Sequence, residues 1–587
     1  MSNGTQDPPE YIPNIITKYN LPSENPATSE NYINLLMPYD FNTRRILAEN
    51  PVFLVSSILQ DRYAVAHLPA EIEREYTEAV AASFTVERSR VCGLLYNPAL
   101  DAAGITEVKQ NQNLGLTGRG VLVGSVDTGI DYNLDTFKYE NGQSKIRRIW
   151  DQSIESSDIN AIPSSFIYGT EYTHEQINQA IASDNPYAVV PSLDEVGHGT
   201  FLASLAAGRA TAQNEEGAAP DADLVIVKLK QAKRVTRDYT ALFDYEKNAY
   251  DSIDIANGVE YLINVARDEE RPIVIFLGVG TSDSAHDGLT YLEQYLTSVA
   301  SILDIIVVSA VGNEGDRNHH AAGRLSGNED MKEIEFNVSD NTPGFFINIW
   351  AFTPDRLSIS LISPLGELIE RRKFLNNVSV SYSFVLEKSQ VLIDYAYPNA
   401  KDGSQSILIR FIDPQIGLWR LSVYGDLIID GRFNMWMPIS SLWNNAAYFL
   451  QPEVTVTATT PSTAPALISV GAYNSFDGSI FVSSSRGPNR LQELCPDFVA
   501  PGVNVTSVVP GGANGIMTGT SVSAAITGGA CALMLQWAVI EGNYPAINNY
   551  RMITFLLIGL TQRPGIIYPD NLWGYGELDL FNSFLNI

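Results

Sequence analysis

The strongest constraint on the fold is a set of four short, uninterrupted apolar runs separated by helix-length segments. They are Val121-Leu-Val-Gly-Ser-Val-Asp127, Asp223-Leu-Val-Ile-Val-Lys228, Pro272-Ile-Val-Ile-Phe-Leu277 and Asp304-Ile-Ile-Val-Val-Ser-Ala310. A strand with one wet face alternates apolar and polar residues, whereas a strand covered on both faces does not. The runs therefore predict an α/β fold, with a parallel sheet between two layers of helices. Helix-length segments such as 253–267 and 288–301 lie between the runs and supply crossovers. Ligands of such sheets sit at the carboxyl ends of the strands, and the first run ends there on a carboxylate, Asp127.

The pattern changes along the chain, as a length of 587 residues requires, since single cores stop growing at about 250 to 300 residues. Residues 1–97 hold a strand at 63–68 and helical spacing over 71–84, a small α+β unit. Between 327 and 450 the period becomes two, in runs at 357–362, 378–384, 391–395, 406–411 and 419–424 separated by Pro, Gly, Asn and Asp. With 333–338 and 345–350 these make seven or eight strands, an all-β insertion of sandwich or jelly-roll type. The α/β pattern returns with a strand at 466–472 and a helix at 521–536. The expected plan is thus 1–97, then a catalytic unit in two parts, 98–326 and 451–587, interrupted by 327–450.

A formal net charge of -29 repels phosphate backbones and anionic lipid, so nucleic acid and membrane surfaces are not expected partners. The three cysteines, Cys92, Cys495 and Cys531, are too few and too far apart for a disulfide framework or a metal site. No metal site is read from the residues: His319 and His320 lack a third ligand and read as a pair on a polar surface loop, and no Asp-rich loop of EF-hand type occurs. The first residues carry neither a basic start nor an apolar run, and no stretch of 18 apolar residues occurs, so the expectation is a soluble, intracellular chain, cytoplasmic in location.

The chemistry lies in three places. A hydroxyl becomes a nucleophile when an adjacent base takes its proton, and the base works best when a third group fixes its tautomer. Asp127 ends a strand and is followed by Thr128-Gly-Ile-Asp131; His198, alone among six histidines, stands between two glycines in Gly197-His-Gly-Thr200 and opens a helix. Ser521 stands in Gly519-Thr-Ser521-Val-Ser-Ala-Ala at the start of another helix, whose N–H groups point toward a developing anion. Singly, each has a plain structural account as a turn former or helix cap. Together, in this order and on these elements, they make a catalytic set. His198 would take the Ser521 proton as it attacks a peptide carbonyl, Asp127 would stabilise the imidazolium, and no cofactor is needed.

These segments resemble the subtilase superfamily. Val126-Asp127-Thr-Gly-Ile-Asp, Gly197-His198-Gly-Thr and Gly519-Thr-Ser521 match its three catalytic signatures, with Val522 where the family usually has methionine. Ser309-Ala-Val-Gly-Asn313-Glu-Gly resembles its oxyanion-hole segment, and Ser484-Ser-Arg-Gly-Pro488 and Val499-Ala-Pro-Gly502 match supporting motifs. More narrowly, Ile146-Arg-Arg-Ile-Trp-Asp-Gln152, Gly169-Thr-Glu-Tyr-Thr173 and the β insertion resemble the Csp germination subtilases of clostridia. The resemblance implies a serine endopeptidase acting on a protein or peptide, with Asn313 as an oxyanion donor and Gly278, Val279 and Gly280 lining the pocket for the residue before the scissile bond. It also implies that 1–97 is a prosegment, self-cleaved near Tyr96 and Asn97 and able to stay bound as an inhibitor, that another protein is activated by limited proteolysis, and that the location is cytoplasmic or spore-associated.

Three rivals are distinguishable. A pseudoprotease, a subtilase scaffold used as a sensor or binding partner, has usually lost a triad residue, and none is lost here. An α/β-hydrolase esterase expects Gly-x-Ser-x-Gly with the serine first, whereas Ser521 comes last. The β insertion could bind carbohydrate or protein through Trp350, Trp419 or Trp436, which serve equally as core aromatics.

Overall fold

The computed structural model describes residues 13–16, 22–27, 29, 31–59, 62–72, 87–88, 98–399 and 402–587. The chain divides into two compact units, Met1–Tyr96 and Asn97–Ile587.

In the first unit an antiparallel sheet has the order Leu54–Leu59, Tyr63–Pro69, Tyr32–Pro38, Glu87–Arg88. Helix Phe41–Glu49 is capped by Asp40, whose carboxylate accepts the Thr43 N–H at 2.8 Å. Leu35, Met37, Leu47, Val55, Ala64, Ala66 and Leu68 make its core. The helix expected over 71–84 is seen only as a turn at Ala70–Ile72; the rest of it lies outside the described residues, as do Tyr96 and Asn97.

The second unit is built on an eight-stranded sheet of order Phe498–Pro501, Ile468–Tyr473, Ile305–Ala310, Ile273–Leu277, Leu122–Asp127, Asp223–Lys228, Ile146–Asp151, Thr170–Thr173. Every pairing is parallel except the last. Each central strand sends its side chains alternately into two cores. Val274 and Phe276 join one with helices His198–Ala207 and Thr520–Leu535, while Ile273, Ile275 and Leu277 join the other with Ser252–Asp268 and Tyr291–Val299. Burial on both faces is why these runs are apolar without a break. The run Thr520–Ile540 is long and apolar enough to cross a membrane, a feature that counting strictly apolar residues had missed. All of Thr520–Leu535 is buried within the protein, which makes it a core helix, each buried Ile or Leu contributing about 2 kcal/mol.

Between strands Ile305–Ala310 and Ile468–Tyr473 the chain forms two antiparallel sheets. One has six strands, His320–Arg324, Arg432–Trp436, Gly344–Ala351, Gln405–Ile412, Gln390–Ala396 and Val378–Ser383. The other has five, Leu368–Ile369, Arg356–Ile362, Gly417–Leu427, Met331–Val338 and Ala447–Phe449. They share one core in which Phe345 stacks on Phe411 at 4.7 Å and Trp419 is fully buried. The first of these strands begins at His320, ahead of the expected boundary at 327; its Ala-Ala-Gly centre has no side chains large enough to show a period of two.

The histidine pair is not on the surface. His319 and His320 are buried: His319 Nδ1 lies 3.2 Å from Glu314 Oε2, and His320 sits between the Glu453 carbonyl and Asn434 Oδ1, both at 3.0 Å. A carboxylate partners His319 and two acceptors hold both nitrogens of His320 inside the protein, which polarity alone did not reveal. Trp436 is likewise a core residue, stacked on His286 and on His320.

Candidate active site

Asp127 ends the central strand Leu122–Asp127, flanked by Ile273–Leu277 on one side and Asp223–Lys228 on the other. Connections diverge from this point, leaving a crevice above the carboxyl ends of the strands. Into it project His198, the first residue of helix His198–Ala207, and Ser521, in the first turn of Thr520–Leu535.

The three side chains meet in a line. Asp127 Oδ1 lies 2.7 Å from His198 Nδ1, and His198 Nε2 lies 3.1 Å from Ser521 Oγ. Asp127 is 1% exposed and its Oδ1 also accepts the Thr128 N–H at 2.7 Å, while the His198 side chain keeps 26% exposure at the cleft. Burial of His198 favours the neutral ring, but the charge and hydrogen bond of Asp127, with the charge of Asp194, outweigh it and raise the imidazole above its ordinary value.

The glycines beside His198 have separate reasons. Gly197 has φ of 87°, a conformation that carries the chain from loop to helix, and a Cβ at Gly199 would fall 2.3 Å from the Gly129 carbonyl. The histidine loop and the aspartate loop thus touch backbone to backbone.

Asn313 follows strand Ile305–Ala310. Its Oδ1 accepts from the Thr520 N–H at 3.0 Å and the Thr520 hydroxyl at 3.2 Å. That engages the carbonyl side and leaves the amide near the nucleophile: a Cβ on Gly519 would lie 3.3 Å from Asn313 Nδ2 and 3.5 Å from Ser521 Oγ. An N–H donor so placed meets an oxyanion as charge develops on it. Replacement of Asn313 by Ala is expected to lower kcat by about 10² to 10³ with KM little changed. Steady-state kinetics on a peptide substrate checks this, and a large KM change with unaltered kcat would make the residue a substrate binder instead.

Gly278, Val279 and Gly280 line the same cleft, which has a volume of ≈ 590 Å³. Gly278 does more than form a wall, because a Cβ there would lie 3.1 Å from both His198 Cε1 and Ser521 Cβ. Ala310, Gly312 and Asn313 line it as well, and Thr459 lies against Gly280 and Gly312 alike.

Sequence reasoning missed several cleft residues. Phe346, Ile439, Ser440 and Leu442, from the segment of the two antiparallel sheets, line the cleft, and Glu314 Oε1 accepts the N–H and hydroxyl of Ser440 at 2.9 and 2.8 Å. No linear signal links Ser440 to Asn313. Asp283 also faces the cleft, its carboxylate accepting from Asn348 Nδ2 at 2.9 Å, and burial raises its pKa. Asp194, buried behind the cleft lining, is a further omission; its position four residues before His198 is the one sequence signal it carries. Among the described residues no group of three or more His, Cys, Asp or Glu is arranged to hold a metal ion.

The arrangement has known counterparts. A model of the subtilase family matches residues 118–339 and 444–556. Among curated proteins, the subtilisin-like protease SBT3.16 of Arabidopsis thaliana is 23% identical over 482 residues, covering 76% of this chain and 58% of that protein. The chain therefore spans less than two thirds of that relative's length. Among solved structures, the CspB protease of Clostridium perfringens superposes with a TM-score of 0.73 at 28% identity, over 84% of this chain and 99% of that one.

Proposed function

The chain belongs to the subtilase family, and from that premise we propose that it is a serine endopeptidase in which Asp127, His198 and Ser521 are the catalytic triad. The observation that carries this reading is the unbroken line of contacts, 2.7 Å from Asp127 to His198 and 3.1 Å from His198 to Ser521. In the reaction His198 Nε2 takes the Ser521 proton as Oγ attacks a peptide carbonyl, and Asp127 stabilises the imidazolium. The tetrahedral oxyanion is held by the Asn313 amide and the Ser521 N–H, at the positive end of helix Thr520–Leu535. His198 then protonates the leaving amine, and water, activated by the same ring, releases the acyl group. Substrates are proteins or peptides. Gly278, Val279 and Gly280 form one wall of the pocket for the residue before the scissile bond, a reading supported by their place in the cleft beside Ser521.

The two antiparallel sheets belong in this reading to a jelly-roll insertion that completes the cleft, which the lining by Phe346, Ile439, Ser440 and Leu442 supports. Residues 1–97 are proposed as a prosegment that the enzyme removes from itself, with the cut between Leu95 and Ala99, after Tyr96. Leu94, Leu95 and Tyr96 suit an apolar pocket, and Pro98 has no N–H and hinders cleavage just before it. Limited proteolysis of another protein would follow release.

A fluorophosphonate tests the reading, because it phosphonylates a serine activated by its base, the serine oxygen bonding to phosphorus as fluoride leaves. Stoichiometric labelling of Ser521 is expected in the purified protein, which should run as two fragments on a denaturing gel, while Ser521→Ala runs as one and takes no label. A folded wild-type protein that is neither labelled nor active on a peptide library would instead be a pseudoprotease, a scaffold that binds. Full-length single chains in both, with the wild type active, would remove self-processing alone.

A further inference from the structure

We propose that Asp194 is a positioning residue of this site, acting through His198. This rests on the reading of Asp127, His198 and Ser521 as the reacting groups. Asp127 and His198 stand on separate elements, and something must hold those elements in register for a 2.7 Å contact to persist. Asp194, 5% exposed, does so with both carboxylate oxygens. Its Oδ1 accepts the Thr128 hydroxyl at 2.8 Å, the Gly197 N–H at 2.8 Å and the Val196 N–H at 3.2 Å. Its Oδ2 accepts the Thr200 N–H at 2.8 Å and the Thr200 hydroxyl at 2.7 Å.

The two hydroxyls extend the network. Thr128 Oγ1 accepts the Gly199 N–H at 2.9 Å, and Thr200 Oγ1 accepts the Asp131 N–H at 3.0 Å. One carboxylate therefore ties the residue after Asp127 to the glycines on either side of His198. Every contact is a donor, so the position requires a group that accepts on both atoms; an amide would set its own N–H pair against donors. The neighbouring strand secures the same loop: Lys228, paired in register with Asp127, donates to the Leu193 carbonyl and to Glu195 Oε2.

Asp194 also acts by its charge. The groups that face His198 are Asp127 in contact and Asp194 beyond it; Tyr250 stands near the same carboxylates, and Lys228 is paired with Glu195. Burial works to lower the His198 pKa, and the Asp127 and Asp194 charges together raise it. Because the neutral ring is the base, removing the Asp194 charge lets His198 lose its proton more easily and moves the acid limb of kcat/KM to lower pH. A purely structural residue would leave that limb in place.

The test uses Asp194→Asn in the full chain, in the wild-type and in the Ser521→Ala backgrounds. A fall in kcat of about 10²-fold with KM within about twofold is expected, the size of effect that sub-ångström misplacement of a base produces. The acid limb should move down, and in the Ser521→Ala background the His198 ring, followed by NMR with labelled histidine, should titrate at lower pH. A folded Asp194→Asn with activity within about twofold of wild type and an unmoved His198 titration overturns the proposal. If Asp194→Asn does not fold, Thr128→Ser and Thr128→Val replace it: Ser keeps the hydroxyl bridge and should retain activity, whereas Val should lose about 10-fold, and equal activity of the two overturns the proposal. A wild-type protein that cleaves no peptide defeats the protease reading, while the His198 titration in Ser521→Ala still decides the role of Asp194.

Discussion

Replacing Ser521 by Ala is expected to lower peptide hydrolysis by about 10⁶-fold while the protein stays folded. The loss corresponds to about 8 kcal/mol of transition-state stabilisation, the size seen when a triad loses its nucleophile and the remaining groups cannot act on their own. The fold should survive because the change removes one oxygen from a helix start whose neighbours keep their packing: Val522, Ala524 and Ala525 are buried in the main core. The Ser521 hydroxyl bonds His198, which stays fixed by Asp127, so thermal unfolding should differ by no more than about 1 kcal/mol. Single-turnover kinetics and a melting curve on the same sample check both halves. A rate within a few-fold of wild type would show that another residue is the nucleophile.

Replacing Asp127 by Asn is expected to cost about 10⁴-fold in kcat and to shift the pH profile. An amide can donate to His198 Nδ1, which favours the tautomer with its proton on Nε2, the atom that must accept from Ser521. The sign of the pH effect follows from the same pair. Asp127 is the larger of the two charges that raise the His198 pKa against the effect of burial. Without it burial prevails, the ring is neutral to lower pH, and the acid limb of whatever activity remains moves down. Kinetics from pH 4 to 9 would record both; a limb that stays in place would mean that it belongs to another group. The Asn313 and Asp194 replacements fall below this one because they weaken stabilisation or placement and leave the base and nucleophile in being.

The central layer was legible in the sequence because burial leaves a local signature. Runs such as Ile273–Leu277 have to be apolar at every position when both faces are covered, and the helix Ser252–Asp268 falls within a residue of each end of the helix-length segment 253–267 that separates two such runs. The proposed reacting side chains were legible for a related reason: each lies in a short segment that carries glycine, and His198 stands between two of them. At Gly199 a Cβ would not fit against the Gly129 carbonyl, and at Gly278 it would press tightly on His198 and Ser521. The strand His320–Arg324 and the three-residue strand Ala447–Phe449 were not legible, since small or few side chains carry no period.

What the sequence alone determined is thus the parallel core, the change to antiparallel strands in the middle of the chain, and the identity of Asp127, His198, Ser521 and Asn313 as the residues of interest. The tertiary structure alone decided which distant groups serve them. Asp194 reads as an ordinary loop carboxylate until its two oxygens are seen to bridge Thr128 and Thr200. His319 reads as a surface residue until Glu314 is found beside it, and Ser440 has no marked role until it grips the same Glu314 next to Asn313. Apolar burial writes itself into every few residues of a chain because each element must present a face to the core. A polar contact between segments depends on two residues that need share no pattern, and only the folded backbone brings them within 3 Å of each other.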